Sequence, residues 1–548
     1  MHFEIVFVLL FAIATGVALA ARWIKVPYTV ALVVSGLVLG TAHAFDPPHL
    51  TKELLYAVFL PGLLFEASFH LEFRRFWQNK IAIHALAIPG VVAAIGITAA
   101  ILTPVANALH FVEGFTFVHG LVFAALLAAT DPIAVVALFK SLGAPKRLAV
   151  LVEGESLLND GTAVVLYTLI LGLVSGREMS VGAAVLDFVK VVGMGMLIGT
   201  AVGFAVSKVI QKVDDPMIEI TLTTIAAYGS FVAAEHFHFS GVIATVVAGM
   251  LCGNYAARTG MSPSTRIAVE SFWEYVAFAL NSIVFLLIGF EVRIEALLAS
   301  WKAILVAYLA VMLARAAVIY VVSALIARTN ERIPWSWSAV LTWGGLRGGL
   351  SMVLVLALPA GFPHRELLVT MTFGVVVLSI LTQGLSMGPL LRWFGLVGVR
   401  GERRDYEVHR GQARAARAVL AELDQMVKEG NVRGEIVAEL RAEYGVQVSE
   451  AEERIRCLHL RAAELLEEER QAARRHALVV EKDAILEAYN KGLLGHEALE
   501  KLLGDVNARL FELEDDHEPP APAPAQSETA SPEKTSAAPP DPEEPPKA

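Results

Sequence analysis

Residues 129–163 read Ala-Thr130-Asp131-Pro132-Ile-Ala-Val-Val-Ala-Leu-Phe-Lys140-Ser-Leu-Gly-Ala-Pro-Lys146-Arg147-Leu-Ala-Val-Leu-Val-Glu153-Gly-Glu155-Ser156-Leu-Leu-Asn159-Asp160-Gly-Thr162-Ala. The apolar character continues on both sides, over 117–139 and 148–174. Each run is long enough to cross a bilayer core of about 30 Å, which takes about 20 residues of helix. An ionised group at mid-span costs at least ~2.5–3.5 kcal/mol, so Asp131, Glu155 and Asp160 need a reason to be there. Pro132 lacks an N–H and clashes with the turn before it, which opens the first helix at Thr130–Asp131 and frees backbone carbonyls. In the second helix, Glu155/Asn159 and Ser156/Asp160 are i,i+4 pairs, so the four share one stripe. Two carboxylates, a hydroxyl and an amide there are hard oxygen donors suited to a small cation. The bland readings are a kinked packing helix and a buried hydrogen-bond cluster. Two acids on one stripe repel unless a cation or proton intervenes, which favours an ion site.

Applied to all 548 residues, the same length criterion predicts an all-α polytopic membrane protein with thirteen spans. They fall near 3–21, 27–44, 53–70, 81–103, 117–139, 148–174, 183–207, 217–235, 240–257, 270–290, 301–327, 336–358 and 367–396. Composition agrees: 55% of residues are hydrophobic, only 18% are charged and mean hydropathy is +0.58, which excludes an ordinary soluble enzyme. Alternate loops carry fourteen cations (Arg22, Lys25, Arg74, Arg75, Lys80, Lys140, Lys146, Arg147, Lys208, Lys212, Arg258, Arg266, Arg328, Arg332) against six (Lys52, Arg177, Lys190, Arg293, Lys302, Arg365). The cation-rich side is cytoplasmic, so the N-terminus lies outside and the C-terminal tail inside. The first apolar run is read as a retained helix, because Arg22 and Lys25 follow it, the reverse of a signal peptide's charge order. Cys252 and Cys457 stand far apart and support neither a disulfide framework nor a zinc site. No basic block suggests nucleic acid.

The membrane part, 1–397, gives way to a tail rich in acidic residues. Residues 405–513 carry amphipathic helical patterns, with Ser449 and Glu452 as a capping box before an apolar face of Ile455, Leu458, Leu465 and Ile485. A last helix shows Leu499, Leu502, Val506, Leu510 and Leu513 at helical spacing. Residues 517–548 hold ten of the 24 prolines and are expected to be disordered. Two arginines also lie mid-span. Arg315 in the eleventh span demands an acid partner, and Arg347 in the twelfth sits among four glycines, Gly344, Gly345, Gly348 and Gly349, that weaken the helix. The fifth and twelfth spans are seven apart. Interrupted helices at matching positions of inverted halves mark a secondary transporter's site. Thr382 and Gln383 in the thirteenth span are expected opposite the sixth.

Residues 129–163, with Leu60-Pro-Gly-Leu-Leu-Phe-Glu66 and Gly344-Gly-Leu-Arg-Gly348, resemble the signature of the monovalent cation:proton antiporter-1 family of sodium/proton exchangers, and within it the NhaP-type antiporters of prokaryotes. The likeness spans all thirteen segments; Leu-Pro-Gly before Glu66 replaces the more usual double proline. It implies inverted repeats with crossed, unwound helices 5 and 12, and a homodimer whose six-helix cores move against a dimerisation domain. It implies that Asp160 is the exchanging carboxylate, with Ser156 and the Thr130 backbone beside the Na+, and that Asn159-Asp160 marks the electroneutral branch. Asp131 would accompany the crossover, Glu155 would pair with Arg315, Glu66 would approach the ion, and Arg347 would be modulatory.

The function so implied is secondary antiport, not enzymatic catalysis. One Na+, with Li+ as a further candidate, is exchanged for one H+ by alternating access across the plasma (inner) membrane, for pH and sodium homeostasis. No cofactor is called for beyond the transported ions, and the partners are the lipid bilayer and a second copy. An ion or a proton must occupy Asp160 before the core crosses, because a bare buried charge is disfavoured. K+/H+ or mixed exchange is the alternative within this fold. From other classes, an intramembrane aspartyl protease would use Asp131 and Asp160 but wants Gly-x-Gly-Asp where this chain has Leu-Leu-Asn-Asp. A serine hydrolase lacks a membrane-embedded histidine near Ser156, and the tail has no nucleotide loop that would make it a sensor's output. The tail is read as regulatory or as a dimer contact.

Overall fold

The computed structural model describes residues 3–24, 27–42, 55–111, 113–174, 180–396, 400–428 and 434–461, with scattered residues from 470 to 509. Leu465, Leu510, Leu513 and the whole of 517–548 lie outside the described residues. Two compact units divide the chain, Met1–Arg400 and Gly401–Ala548.

Among the described residues every regular element is a helix, as a lipid-embedded backbone requires if each N–H and C=O is to be paired within its own segment. Seven helices among the described residues are long and apolar enough to cross a membrane: Lys80–Ala108, Lys146–Val174, Gly182–Ile210, Pro216–His236, Ser264–Glu291, Trp301–Arg328 and Arg365–Trp393. Shorter apolar helices cover Val8–Ala21, Tyr28–Thr41, Phe117–Leu126, Ile133–Leu142 and Gly241–Ala256. Local chemistry sets several starts. Ser180, Ser240 and Ser262 accept from backbone N–H groups three residues on, Asp215 accepts from Met217 and Ile218, and Pro216 and Pro263 occupy first positions. The Ser262–Pro263 start carries the helix expected near 270–290 two turns further back, to Pro263.

Small residues let the helices approach backbone to backbone, the association that works where lipid removes the hydrophobic drive. Tyr28–Thr41 and Pro263–Glu291 meet reciprocally: a Cβ on Gly36 would stand 2.2 Å from the Leu286 carbonyl oxygen, and one on Gly289 2.3 Å from that of Val33. Tyr28 closes the same contact, its hydroxyl 2.6 Å from Ser282 Oγ and its ring stacked on Phe278. Val181–Ile210 lies equally close to Gly241–Leu251, where a Cβ on Gly199 would be 2.2 Å from the Ala244 oxygen. Lys146–Val174 packs on Phe117–Leu126 and Lys80–Ala108, the latter on Trp301–Leu325, and that on Arg365–Trp393, through a continuous core that includes Phe123, Leu151, Ala307 and Val376.

In the second unit, Arg400–Lys428 and Gly434–Arg461 are joined by the ion pairs Arg417–Glu452 and Arg441–Asp424. Ser449 corrects an expectation: it lies inside Gly434–Arg461, so the Ser449/Glu452 pattern starts no helix. Neither proline nor glycine stands between Gly445 and Ser449 to end the preceding turns, and a serine can sit mid-helix. Of the last pattern, Leu499 and Val506 are buried and Leu502 is exposed.

The reciprocal glycine contact gives a direct test. Gly289→Val should overpack the Tyr28–Thr41 interface and lower stability by ~1–3 kcal/mol. Gly193→Ala, with nothing within 4 Å of the new Cβ, should be neutral or slightly stabilising in the same thermal-unfolding measurement in detergent.

Candidate functional site

Two helices are interrupted near mid-length. Phe117–Leu126 stops before Thr130-Asp131-Pro132 and helix resumes at Ile133; Trp335–Trp343 stops at Gly344 and helix resumes at Gly349. The interruptions touch. The Asp131 N–H donates to the Leu346 carbonyl at 2.8 Å, and a Cβ on Gly348 would lie 2.3 Å from Asp131 Oδ2, so only glycine fits there. Asp131 Oδ1 accepts from the Ile133 N–H, the first of the resumed helix, at 3.0 Å.

Three of the freed carbonyls, those of Ala128, Ala129 and Thr130, find side-chain donors. Arg347 is buried, and its Nη1 donates to the Ala128 and Ala129 oxygens, both at 3.0 Å. Its own N–H donates to Ser379 Oγ at 3.2 Å. From Lys146–Val174, Ser156 Oγ donates to the Thr130 oxygen. Asn159 Nδ2 points at three oxygens: the Ala128 carbonyl at 3.0 Å, Thr130 Oγ1 at 3.1 Å and Glu155 Oε1 at 3.4 Å.

Glu155 and Arg315 form a two-pronged pair, Nη1 to Oε1 and Nη2 to Oε2, each 3.0 Å. Arg315 also donates through Nε and Nη2 to the Leu341 carbonyl. It lies flat against the second interruption, where a Cβ on Gly345 would be 2.2 Å from its Nε. A cavity of about 30 Å³, room for a water molecule, is lined by Glu155, Asn159, Arg315, Arg347, Ala128 and Thr98 among others.

Asp160 stands apart from this saturation. It accepts from the Thr130 backbone N–H, and its charged neighbours are Asp131, Glu155 and Arg347. Its Oδ1 is buried with no hydrogen-bond partner, as is Asn159 Oδ1. One half-satisfied carboxylate and one amide oxygen without a partner among the described residues thus lie beside the engaged Thr130 and Ala128 carbonyls. Those two oxygens, with the Thr130 groups and Ser156 Oγ, are the donors with which a dehydrated cation can be met.

The structure brings together Thr130, Asp131, Glu155, Ser156, Asn159, Asp160, Arg315 and Arg347. Glu66 is placed elsewhere. It pairs with His70 one turn on, at 3.3 Å, and faces Glu153, seven residues before Asp160 and toward the Lys146 end of that helix. The helix that carries it, Leu60–His70, packs on Lys146–Val174 at that lower level. Thr382 and Gln383 are also relocated. Their partners are Tyr308 (Thr382 Oγ1 at 2.9 Å; Gln383 Nε2 at 3.3 Å) and Met312, on Trp301–Leu325, not on the helix of Asp160. Ser379 and the Leu341 carbonyl were missed. Nothing marks a serine in an apolar span as the acceptor of a distant N–H, and a carbonyl has no sequence signal.

A family model described as the transmembrane sodium/hydrogen exchanger matches residues 6–393. The chain is 36% identical to the Na+/H+ antiporter ApNhaP of Aphanothece halophytica over 512 residues, 92% of this chain and 96% of that protein. It is 33% identical to the Na+/H+ antiporter NhaG of Bacillus atrophaeus over 518 residues, 92% and 97% respectively. The structure of the sodium proton antiporter MjNhaP1 from Methanocaldococcus jannaschii superposes with a TM-score of 0.59 at 19% identity, over 73% of this chain and all of that one. This last likeness concerns the fold.

The buried pair yields a two-part expectation. Arg315→Leu leaves Glu155 without its counter-charge and should cost ~3–5 kcal/mol. Adding Glu155→Leu should recover most of that loss, read as melting temperature of the purified protein. A double variant as unstable as the single one would show that Arg315 is needed chiefly for the Leu341 carbonyl.

Proposed function

The chain belongs to the sodium/hydrogen exchanger family, and from that premise we propose how its site exchanges Na+ for H+. The observation that carries the proposal is the half-satisfied Asp160 carboxylate between two interlocked helix interruptions. Around it, three carboxyls (Asp131, Glu155, Asp160) face two guanidiniums (Arg315, Arg347), which leaves one formal negative charge. A single Na+ or a single H+ cancels it. Glu155 is held by Arg315 and Asp131 by the Ile133 N–H and the neighbouring interruption, so Asp160 is the group free to change partner.

The cycle follows. With Na+ or H+ on Asp160 the site is neutral and can cross the low-dielectric barrier between its two openings; bare, it carries a charge that makes the crossing costly. Empty crossings are thereby suppressed and the two ions are coupled. Na+ would be met by Asp160, Ser156 Oγ, the Thr130 groups and the free Asn159 oxygen. Glu66, beside His70 and Glu153, lines the approach. Arg347 modulates the site through the carbonyls it holds. Since Asn159 takes no proton, each half-cycle carries one charge and the exchange is electroneutral.

In the bilayer the helices form thirteen crossings, two of them interrupted and crossed, arranged as inverted repeats with the N-terminus outside and the tail in the cytoplasm. Two copies pair through the glycine-packed helices while the cores move, in the plasma membrane. The tail helices regulate exchange. Sodium is favoured over potassium because the similar curated proteins are named as Na+/H+ antiporters.

Asp160→Asn should abolish cation-driven proton movement in proteoliposomes while the protein still folds as wild type. In wild type, a tenfold Na+ gradient should be balanced by about one pH unit, since both correspond to ~1.4 kcal/mol. An imposed membrane potential should leave that balance point unmoved. Retained exchange in the variant would remove Asp160 from its role, and a balance point that follows the potential would end the one-for-one assignment.

A further inference from the structure

Glu153 and Tyr167 lie seven residues to either side of Asp160 on Lys146–Val174. Seven residues rise about 10.5 Å and drift only ~20° around a straight helix. The three side chains therefore share one stripe that extends about 21 Å, most of a bilayer core of about 30 Å.

Their surroundings differ. Glu153 is half-buried, and Lys140, Glu66, His70 and Glu72 are its charged neighbours, a polar setting for an ionisable group in a membrane protein. Tyr167 is 4% exposed, and its hydroxyl has no hydrogen-bond partner among the described residues. Its charged neighbour is Arg365, at the head of Arg365–Trp393. Beside Asp160, Gly161 is pressed against apolar atoms, since a Cβ there would lie 2.2 Å from Ile243 Cδ1. The Glu153 end of the stripe is half-buried and polar. The Tyr167 end is closed and holds one orphaned oxygen.

A buried hydroxyl left without a partner is costly, and it gains one if a cation or its water passes when this end opens. We propose that Glu153 and Tyr167 are the inner and outer stations for the transported monovalent cation, with Asp160 as the seat between them. Glu153 receives the cation from the cytoplasmic mouth. The Tyr167 oxygen takes over part of its hydration shell on the outer side, once the contact at Ile243 has parted. This rests on the reading of Asp160 as the exchanging group.

The test is side-specific kinetics, with Na+ as the probe, in everted and right-side-out vesicles. Tyr167→Phe keeps the ring and removes only the oxygen. It should raise the Na+ KM at the outer face by about threefold or more and leave the cytoplasmic KM unchanged. Glu153→Gln should do the reverse, and Glu153→Asp should restore most of the cytoplasmic affinity. Equal effects on both faces, or none, would overturn the stations. Asp160→Asn run in parallel separates the two failures. If it is inactive while the Tyr167 and Glu153 variants show no sidedness, only the stations fall; if it transports, the seat itself was misassigned.

Discussion

The structure depends on one constraint: a backbone opened inside a bilayer must be closed again by hydrogen bonds from the protein itself. Pro132 opens one helix and the glycines around Arg347 open another. Neither interruption is stable alone. Together they are, because each supplies what the other lacks: the Leu346 carbonyl for the Asp131 N–H, and the Arg347 guanidinium for the Ala128 and Ala129 carbonyls. Ser156 and Asn159 on the neighbouring helix take up what is left. Most of the polar residues in the site are thus spent on holding the backbone open. Asp160 keeps an unsatisfied oxygen within that frame, which is the condition for a group that must exchange ligands.

This division makes most of the site rigid and leaves Asp160 the least engaged of its acids. Glu155 and Arg315 are a geometric fixture: two parallel bonds and a further carbonyl leave the guanidinium little freedom. A buried pair of this kind adds little net stability against an apolar substitute, so its retention is better understood as specification. It fixes the charge of the site and the distance between Lys146–Val174 and Trp301–Leu325. The packing outside the site supports the same view. Glycine contacts set the helix separations elsewhere in the membrane unit, so the ion-handling helices sit against a frame with little slack.

Much of this was legible in the sequence, and the boundary of legibility is physical. Pro132, the glycines flanking Arg347 and the i,i+4 stripe are local signals: each follows from what a residue does to its own helix. Glu155 and Arg315 were readable as partners through the family likeness and because a lone buried arginine demands an acid. Thr382 and Gln383 were misplaced, and the partners of Glu66 were not foreseen, because depth along a span does not fix which neighbour it meets. Glu66 belongs with His70 and Glu153, and Gln383 with Tyr308 and Met312. Only helix crossing geometry decides such matters, and no single-span pattern encodes it. Ser449 failed for the opposite reason: a local capping pattern was present, but nothing ended the helix before it.

Asn159 shows how far chemistry of charge and chemistry of structure coincide. Here the amide nitrogen donates toward three oxygens, two of which belong to the opened helix. A carboxylate at 159 would set acceptor against acceptor at the Ala128 carbonyl and bring a negative charge within reach of Glu155. It could persist only protonated or with a further cation in the site. An acid there is therefore not an isolated change in charge count; it also removes one of the two donors to the Ala128 carbonyl and the donor to Thr130 Oγ1. In this chain a neutral amide at residue 159 both keeps the charge count of the site and donates to the interrupted helix.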